Sequence, residues 1–309
     1  MLPYVLKRLL YAVPVIWGVV TLVFVLTRAL PGDPVETMLS QSGGSAEAIA
    51  QMRAALALDA PLHEQYARFW WDLARGDLGR SLFTNRPVLT TIMEQLPNTI
   101  VLALSAMLVA VFCGMILGVL AAVYQNTWVD TLCMTLAVFG VSMPVFWSGI
   151  LLITLFSAAL HWLPATGQGS FKHLLMPMFV LGFASSGAIA RLIRADMLEV
   201  LAEDYIVTAR AKGLRLRTTI VRHALRNALI PALTLIGLQF GFLLGGTVVT
   251  ETVFSRQGIG RLVIDAILWK DFPVVQGAVL FSAIAYTLLN IVVDVSYVFV
   301  DPRLRSDAR

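Results

Sequence analysis

The sequence predicts an all-α, polytopic integral membrane protein with about six transmembrane helices. Three observations predict it: the composition, the placement of the charge-free stretches, and the side on which the cations fall. Of 309 residues, 58% are hydrophobic and 14% charged, with a mean hydropathy of +0.79. A soluble domain carries roughly 25% charged residues, and no soluble fold of this size hides so much apolar surface. A disordered chain is excluded too, because disorder goes with few apolar residues and high charge. The net charge of +4 is that of a membrane protein whose cytoplasmic loops are cationic, so no nucleic-acid partner is called for. Cys113 and Cys133 both fall in apolar stretches. They read as small hydrophobes, not as a disulfide framework.

A bilayer core takes about 20 apolar residues per helix. Stretches without a charge run over Leu9–Thr27, Gln95–Val129, Thr131–Phe171, His173–Ala190, Ala228–Thr250 and Val274–Val293. The two long ones each hold one helix plus flanking loop. The spans therefore fall near 9–29, 99–123, 132–157, 173–194, 228–250 and 274–297. The first is too long for a signal-peptide core and lacks a clear small-residue cleavage site, so it reads as a retained anchor.

With the N-terminus inside, the inner segments carry thirteen Lys and Arg, eight of them between Arg191 and Arg226. The two short outer segments carry four: Lys172, Arg256, Arg261 and Lys270. That bias predicts cytoplasmic termini. The remaining outer segment has five Arg, but loops longer than about 60 residues translocate largely regardless of charge. It opens on the turn cluster Pro31-Gly32-Asp33-Pro34 and is expected to hold two helices. One covers Ser45–Leu58, with Ile49, Met52 and Leu56 at helical spacing; the other covers Leu62–Leu73, with Trp70 and Trp71 as interfacial aromatics. The expected division is an N-terminal helix over 1–30, an extracytoplasmic domain over 31–95, and a transmembrane core over 96–305 with an inner loop at 195–227.

The chemistry is mostly defined by what is missing. No Lys precedes a Ser or Thr, so there is no Walker A loop to bind ATP. Neither His-Glu-x-x-His nor Gly-x-Ser-x-Gly occurs, and His63, His161, His173 and His223 are scattered. No catalytic residue, no metal site and no cofactor are expected in this chain. Asp294 is the one ionisable residue expected inside a span; it reads as a helix-terminal carboxylate meeting Arg303, Arg305 or a neighbouring subunit. Ion coupling would need paired intramembrane charges and is disfavoured.

Two features remain. Glu203-Asp204-Tyr205-Ile206-Val207-Thr208-Ala209-Arg210-Ala211-Lys212-Gly213 has acids at its start, cations at its end and a glycine after it. That is the pattern of a short helix with a matched dipole and a C′ stop. A second inner helix is expected over Thr218–Asn227, ending before Pro231. A structured inner loop without catalytic residues is expected to be a docking surface for a soluble partner. In the fifth span, Gly237, Gly241 and Gly245 share one helical face, which is expected to meet another helix of this chain or of a partner at close backbone approach; Gly114 and Gly118 repeat the device in the second span. An intramembrane enzyme would need a dyad within the spans, and an ungated channel gives the structured loop no role.

The inner loop resembles the signature of type I ABC importer permeases, and of their dipeptide/oligopeptide/nickel branch in particular. The matching residues are Glu203-Asp204-Tyr205, Thr208-Ala209-Arg210-Ala211-Lys212-Gly213 and His223-Ala224-Leu225-Arg226-Asn227-Ala228-Leu229-Ile230-Pro231. Further matches are Leu30-Pro31-Gly32-Asp33-Pro34, Gly76-Asp77-Leu78-Gly79, Gly245-Gly246, Val249-Thr250-Glu251-Thr252-Val253-Phe254, Asp271-Phe272-Pro273-Val274-Val275-Gln276 and Asp301-Pro302-Arg303-Leu304-Arg305. Arg256-Gln257 departs from the family's usual Trp-Pro before Gly258-Ile259-Gly260. The resemblance implies a bacterial inner-membrane permease that pairs with a homologous second permease. It implies two ATPase subunits, or a dimer of one, that bind ATP and Mg and seat Glu203–Gly213 as a coupling helix. It also implies an extracytoplasmic substrate-binding protein. The cargo it implies is di- or oligopeptide, with nickel chelate, glutathione or another small solute as the alternative.

Overall fold

In hydrocarbon a backbone must satisfy its own polar groups, so apolar stretches of this length fold as helices. The computed structural model describes residues 2–29 and 59–300 together with Val35, Glu47, Ala50, Arg53 and Ala54, the side chains of 2–7, 230, 233–234 and 292–300 excepted. Its helices are α1 (Leu2–Ala29), α2 (Leu62–Ala74), α3 (Val88–Val123), α4 (Trp128–Ser142), α5 (Val145–Leu152), α6 (Lys172–Ala202), α7 (Asp204–Ala211), α8 (Leu225–Val253), α9 (Ile259–Leu268) and α10 (Phe272–Val300). A π-helical segment, Ile153–Ala159, extends α5, and another, Thr219–Ala224, leads into α8. Among the described residues there is no β-strand, only an isolated bridge between Arg80 and Pro87. Five helices are long and apolar enough to cross a membrane, and the bent pair α4–α5 makes a sixth candidate.

The chain divides into two compact units, one built on Thr99–Arg256 and the other on Leu2–Asn98 with Gln257–Leu288. In the first, α6 is the central helix. A methyl group added at Gly114 would lie 2.8 Å from Ile189, and one at Gly118 would lie 2.6 Å from the Ala190 carbonyl oxygen, so α3 meets α6 backbone to backbone. From α6, Gly182 faces the Ala106 carbonyl and Gly187 the Ala137 carbonyl, where a methyl would sit 2.4 and 2.0 Å away. Contacts on α3 and α6 advance together, so these helices run parallel; those on α4 and α6 advance oppositely, so that pair is antiparallel. The alternation is what an in-out-in threading requires. Around and beyond the glycines, Ala110, Ile189, Ile193, Met197, Ile206, Ala224, Ala228 and Ala232 belong to the core.

In the second unit, α2 lies against α1. Tyr66 shares a 2.7 Å hydrogen bond with Thr21, and its ring stands edge-on to Phe24 at 5.2 Å. Arg28 donates to Gln65 at 3.2 Å and covers the Phe24 ring at 4.5 Å. Val88, Ile92, Ile259, Val274, Val275 and Ala278 form this unit's core. Ser81 donates to Asp271 at 2.5 Å, and Gln276 to Thr27 at 3.0 Å, both buried.

Four expectations change. The third span is not one helix: α4 and α5 are separated at Met143-Pro144 and bent by 104°. Hydropathy counts apolar residues and is blind to direction, whereas proline lacks an N–H and biases the residue before it away from helix. The second span starts at Val88, eleven residues before the expected 99. Thr218–Asn227 is not a separate helix but runs through the π segment into α8 and past Pro231. Finally, Asp130 and Glu251 lie inside helices and are buried at 6% and 1% exposure. A charge-free stretch marks a span only up to its first charge, so a helix that buries a carboxylate extends past the stretch. The expected Ser45–Leu58 helix lies largely outside the described residues, as do Asp301–Arg305, and the Asp294 side chain is not described.

Candidate functional site: the inner docking face

Glu203 stands between α6 and α7 as the N-cap, with extended backbone at φ −67° and ψ 143°. Its side chain makes no capping hydrogen bond, so Glu203 and Asp204, both exposed, act on the helix through its dipole alone. Arg210 occupies the last turn. The helix closes in a Schellman motif: the Gly213 N–H donates to the Arg210 carbonyl at 2.9 Å, and the Leu214 N–H to the Ala209 carbonyl at 3.2 Å. Gly213 has φ +81°, the left-handed conformation this motif requires.

Two contacts tie α7 to the transmembrane helices. Ile206 is fully buried in the core formed by Ile193, Met197, Ala224 and Ala228. The Asn227 amide donates to the Tyr205 hydroxyl at 2.7 Å, fastening the start of α7 to the start of α8. The remainder of α7 is open: Asp204, Thr208, Arg210, Ala211 and Lys212 are exposed, Ala209 is half-buried, and Val207 is 57% exposed. Leu216 and Val221 are also exposed, among the exposed cations Arg215, Arg217, Arg222 and Arg226. The exposed apolar side chains, Val207 on α7 and Leu216 and Val221 after it, thus stand among exposed cations and beside the exposed Glu203 and Asp204.

Sequence reasoning missed three buried charges. Towards the α7 end of α6, Arg194 donates twice to Asp130 of α4, Nε and one terminal nitrogen each at 2.7 Å. Towards the other end of the unit, Thr99 donates to the Glu251 carboxylate at 2.7 Å. Arg256, the residue that departs from the family pattern, is 5% exposed and donates to the His173 carbonyl at 3.1 Å. Burial pushes its guanidinium below the usual arginine range, and the nearby Glu251 carboxylate opposes that push.

The two sets of glycines differ in what meets them within this chain. Gly114 and Gly118 make the close contacts within the chain. In α8, Gly237 is half-buried and Gly241 buried, but Gly245 is exposed and a methyl group there meets nothing within 4 Å. At the α4–α5 bend, a cavity of about 160 Å³ is lined by Phe139, Gly140, Met143, Ser148, Phe179 and Phe183. Among the described residues, no three His, Cys, Asp or Glu side chains gather as a metal ion would need.

Residues 114–306 match the family described as binding-protein-dependent transport system inner membrane component, and residues 1–103 match the N-terminal family of the same membrane components. The glutathione transport system permease protein GsiC of Salmonella paratyphi A is 44% identical over 305 residues, covering 99% of both chains. Its counterpart in Escherichia coli K12 is 43% identical over the same length and coverage. An inward-facing structure of the MetNI methionine ABC transporter matches 68% of this chain and 96% of its own, with a TM-score of 0.58 at 17% identity, a likeness of fold.

Proposed function

The chain belongs to the family of binding-protein-dependent transport system inner membrane components, and from that premise we propose that it forms half of the translocation pathway of an ATP-driven importer of short peptides. It is a permease subunit of an ABC importer. Its partners on this reading are a homologous second permease, cytoplasmic ATPase subunits that bind ATP and Mg, and an extracytoplasmic binding protein that delivers the cargo. The chain sits in a bacterial inner membrane with both termini cytoplasmic and carries out no catalysis of its own.

The observation that carries the coupling role is Ile206: a helix that presents its polar face outward while burying a side chain in the transmembrane core can pass a push from outside to the spans. The relatives named for glutathione transport narrow the cargo. Glutathione is itself a tripeptide, so the peptide and glutathione readings converge on one chemical class. The test is uptake into proteoliposomes holding this chain, its homologous permease and both ATPases, with the binding protein outside and ATP within. Labelled glutathione or dipeptide should accumulate. Accumulation of a nickel chelate with neither peptide class transported would move the cargo to the alternative.

A further inference from the structure

Helices α4 and α6 touch along a face of small residues, with the Phe183 ring and Val141 packed over its glycines. Gly187 lies against the Ala137 carbonyl and Gly140 against the Phe183 carbonyl, with Cys133 and Ala137 the other buried positions of α4. Small residues give close approach but little to fix register. One polar contact fixes it. Asp130, the third residue of α4, accepts from Nε and one terminal nitrogen of Arg194, each at 2.7 Å, and from the Asn126 N–H at 3.1 Å, at 6% exposure. A forked pair of this kind is satisfied in one relative placement only. Displacing one helix against the other would leave a buried carboxylate without its cation, which is strongly disfavoured.

The position of the pair is as telling as its geometry. Arg194 lies eight residues before the end of α6 at Ala202, or about 12 Å along the helix axis. From there the chain passes through the single residue Glu203 into α7. Asp130 stands at the inner start of α4, the arm that ends at the 104° bend. The pair thus connects the helix that carries α7 to the inner arm of the broken span. We propose that Asp130 and Arg194 form a strut that transmits displacement of α7 to α4, and that both are positioning residues for transport. This inference rests on the importer reading given above.

The test is hydrolysis of ATP by the reconstituted four-component complex, with and without loaded binding protein. Wild-type stimulation is the control; its absence would count against the importer reading itself. Asp130→Asn and Arg194→Gln should assemble and retain basal hydrolysis, but lose most of the stimulation, by about tenfold. The swap Asp130→Arg with Arg194→Asp should restore stimulation, an outcome no loss of packing predicts. Wild-type stimulation in the single variants, or a swap as uncoupled as they are, would overturn the strut. A measurement on the intact pair guards against variants that fail to fold. Spin labels at the exposed Thr131 and Ala195 should keep one separation in the nucleotide-free and ATP-trapped complexes. A separation that changes between those states would overturn the proposal equally.

Discussion

At Gly213 the conformation and the surroundings can be separated. The residue has φ +81°, yet a methyl group placed there meets nothing within 4 Å. Crowding therefore plays no part, and any penalty comes from the left-handed backbone, which costs an L-residue about 1–2 kcal/mol. Asparagine visits that region readily, and a β-branched residue does not. Gly213→Val should misdirect the chain after α7 and abolish substrate-stimulated ATP hydrolysis, with insertion and permease pairing retained. Gly213→Asn should keep most of the stimulation. Equal loss in both variants would mean that the glycine is needed for contact with a partner, not for its φ.

At the scale of the element, the glycines of α6 and α8 make opposite demands. A methyl at Gly187 would stand 2.0 Å from the Ala137 carbonyl oxygen, and one at Gly245 would stand in open space. Gly187→Ala should lower stability by about 1–3 kcal/mol, as overpacking typically does. Gly245→Ala should leave the isolated chain's melting temperature in detergent unchanged or slightly higher, since alanine is favoured over glycine in a helix by about 1 kcal/mol. A Gly187→Ala chain that melts with wild type would show that α4 can withdraw from α6 at no cost. The spans, the short α7 and its glycine stop were legible because apolar length, charge placement and a Schellman stop are local signals. The bend at Pro144 and the register of α4 on α6 were not, since both depend on which helix lies opposite. Gly182 and Gly187 went unnoticed for the same reason. They are five residues apart, a spacing that marks no single helical face because each clears room for a different neighbour.

For the whole molecule, the threading can be checked without any partner. In a chain whose Cys113 and Cys133 are replaced, a cysteine at the exposed Thr84 should react with an impermeant maleimide in intact cells. One at the exposed Thr218 should react only after permeabilisation. Reaction at Thr218 in intact cells would invert the map and place α7 on the wrong side for an ATPase. The parallel and antiparallel contacts within the Thr99–Arg256 unit agree with spans that alternate in direction, as either orientation would require. The close packing of small residues sets only how these helices run relative to one another, and the cation bias alone assigns a side.

The burial of Ile206 bears on how such a permease can be re-engineered or can change over evolution. Its side chain belongs to α7 by sequence and to the Ile193, Met197, Ala224 and Ala228 cluster by packing. The loop is therefore not a detachable module. A chimaera that transplants 203–213 alone would set a foreign helix on a floor shaped for another side chain. Adapting this chain to a different ATPase requires the exposed positions to vary freely and the floor to stay still, or both to change in step.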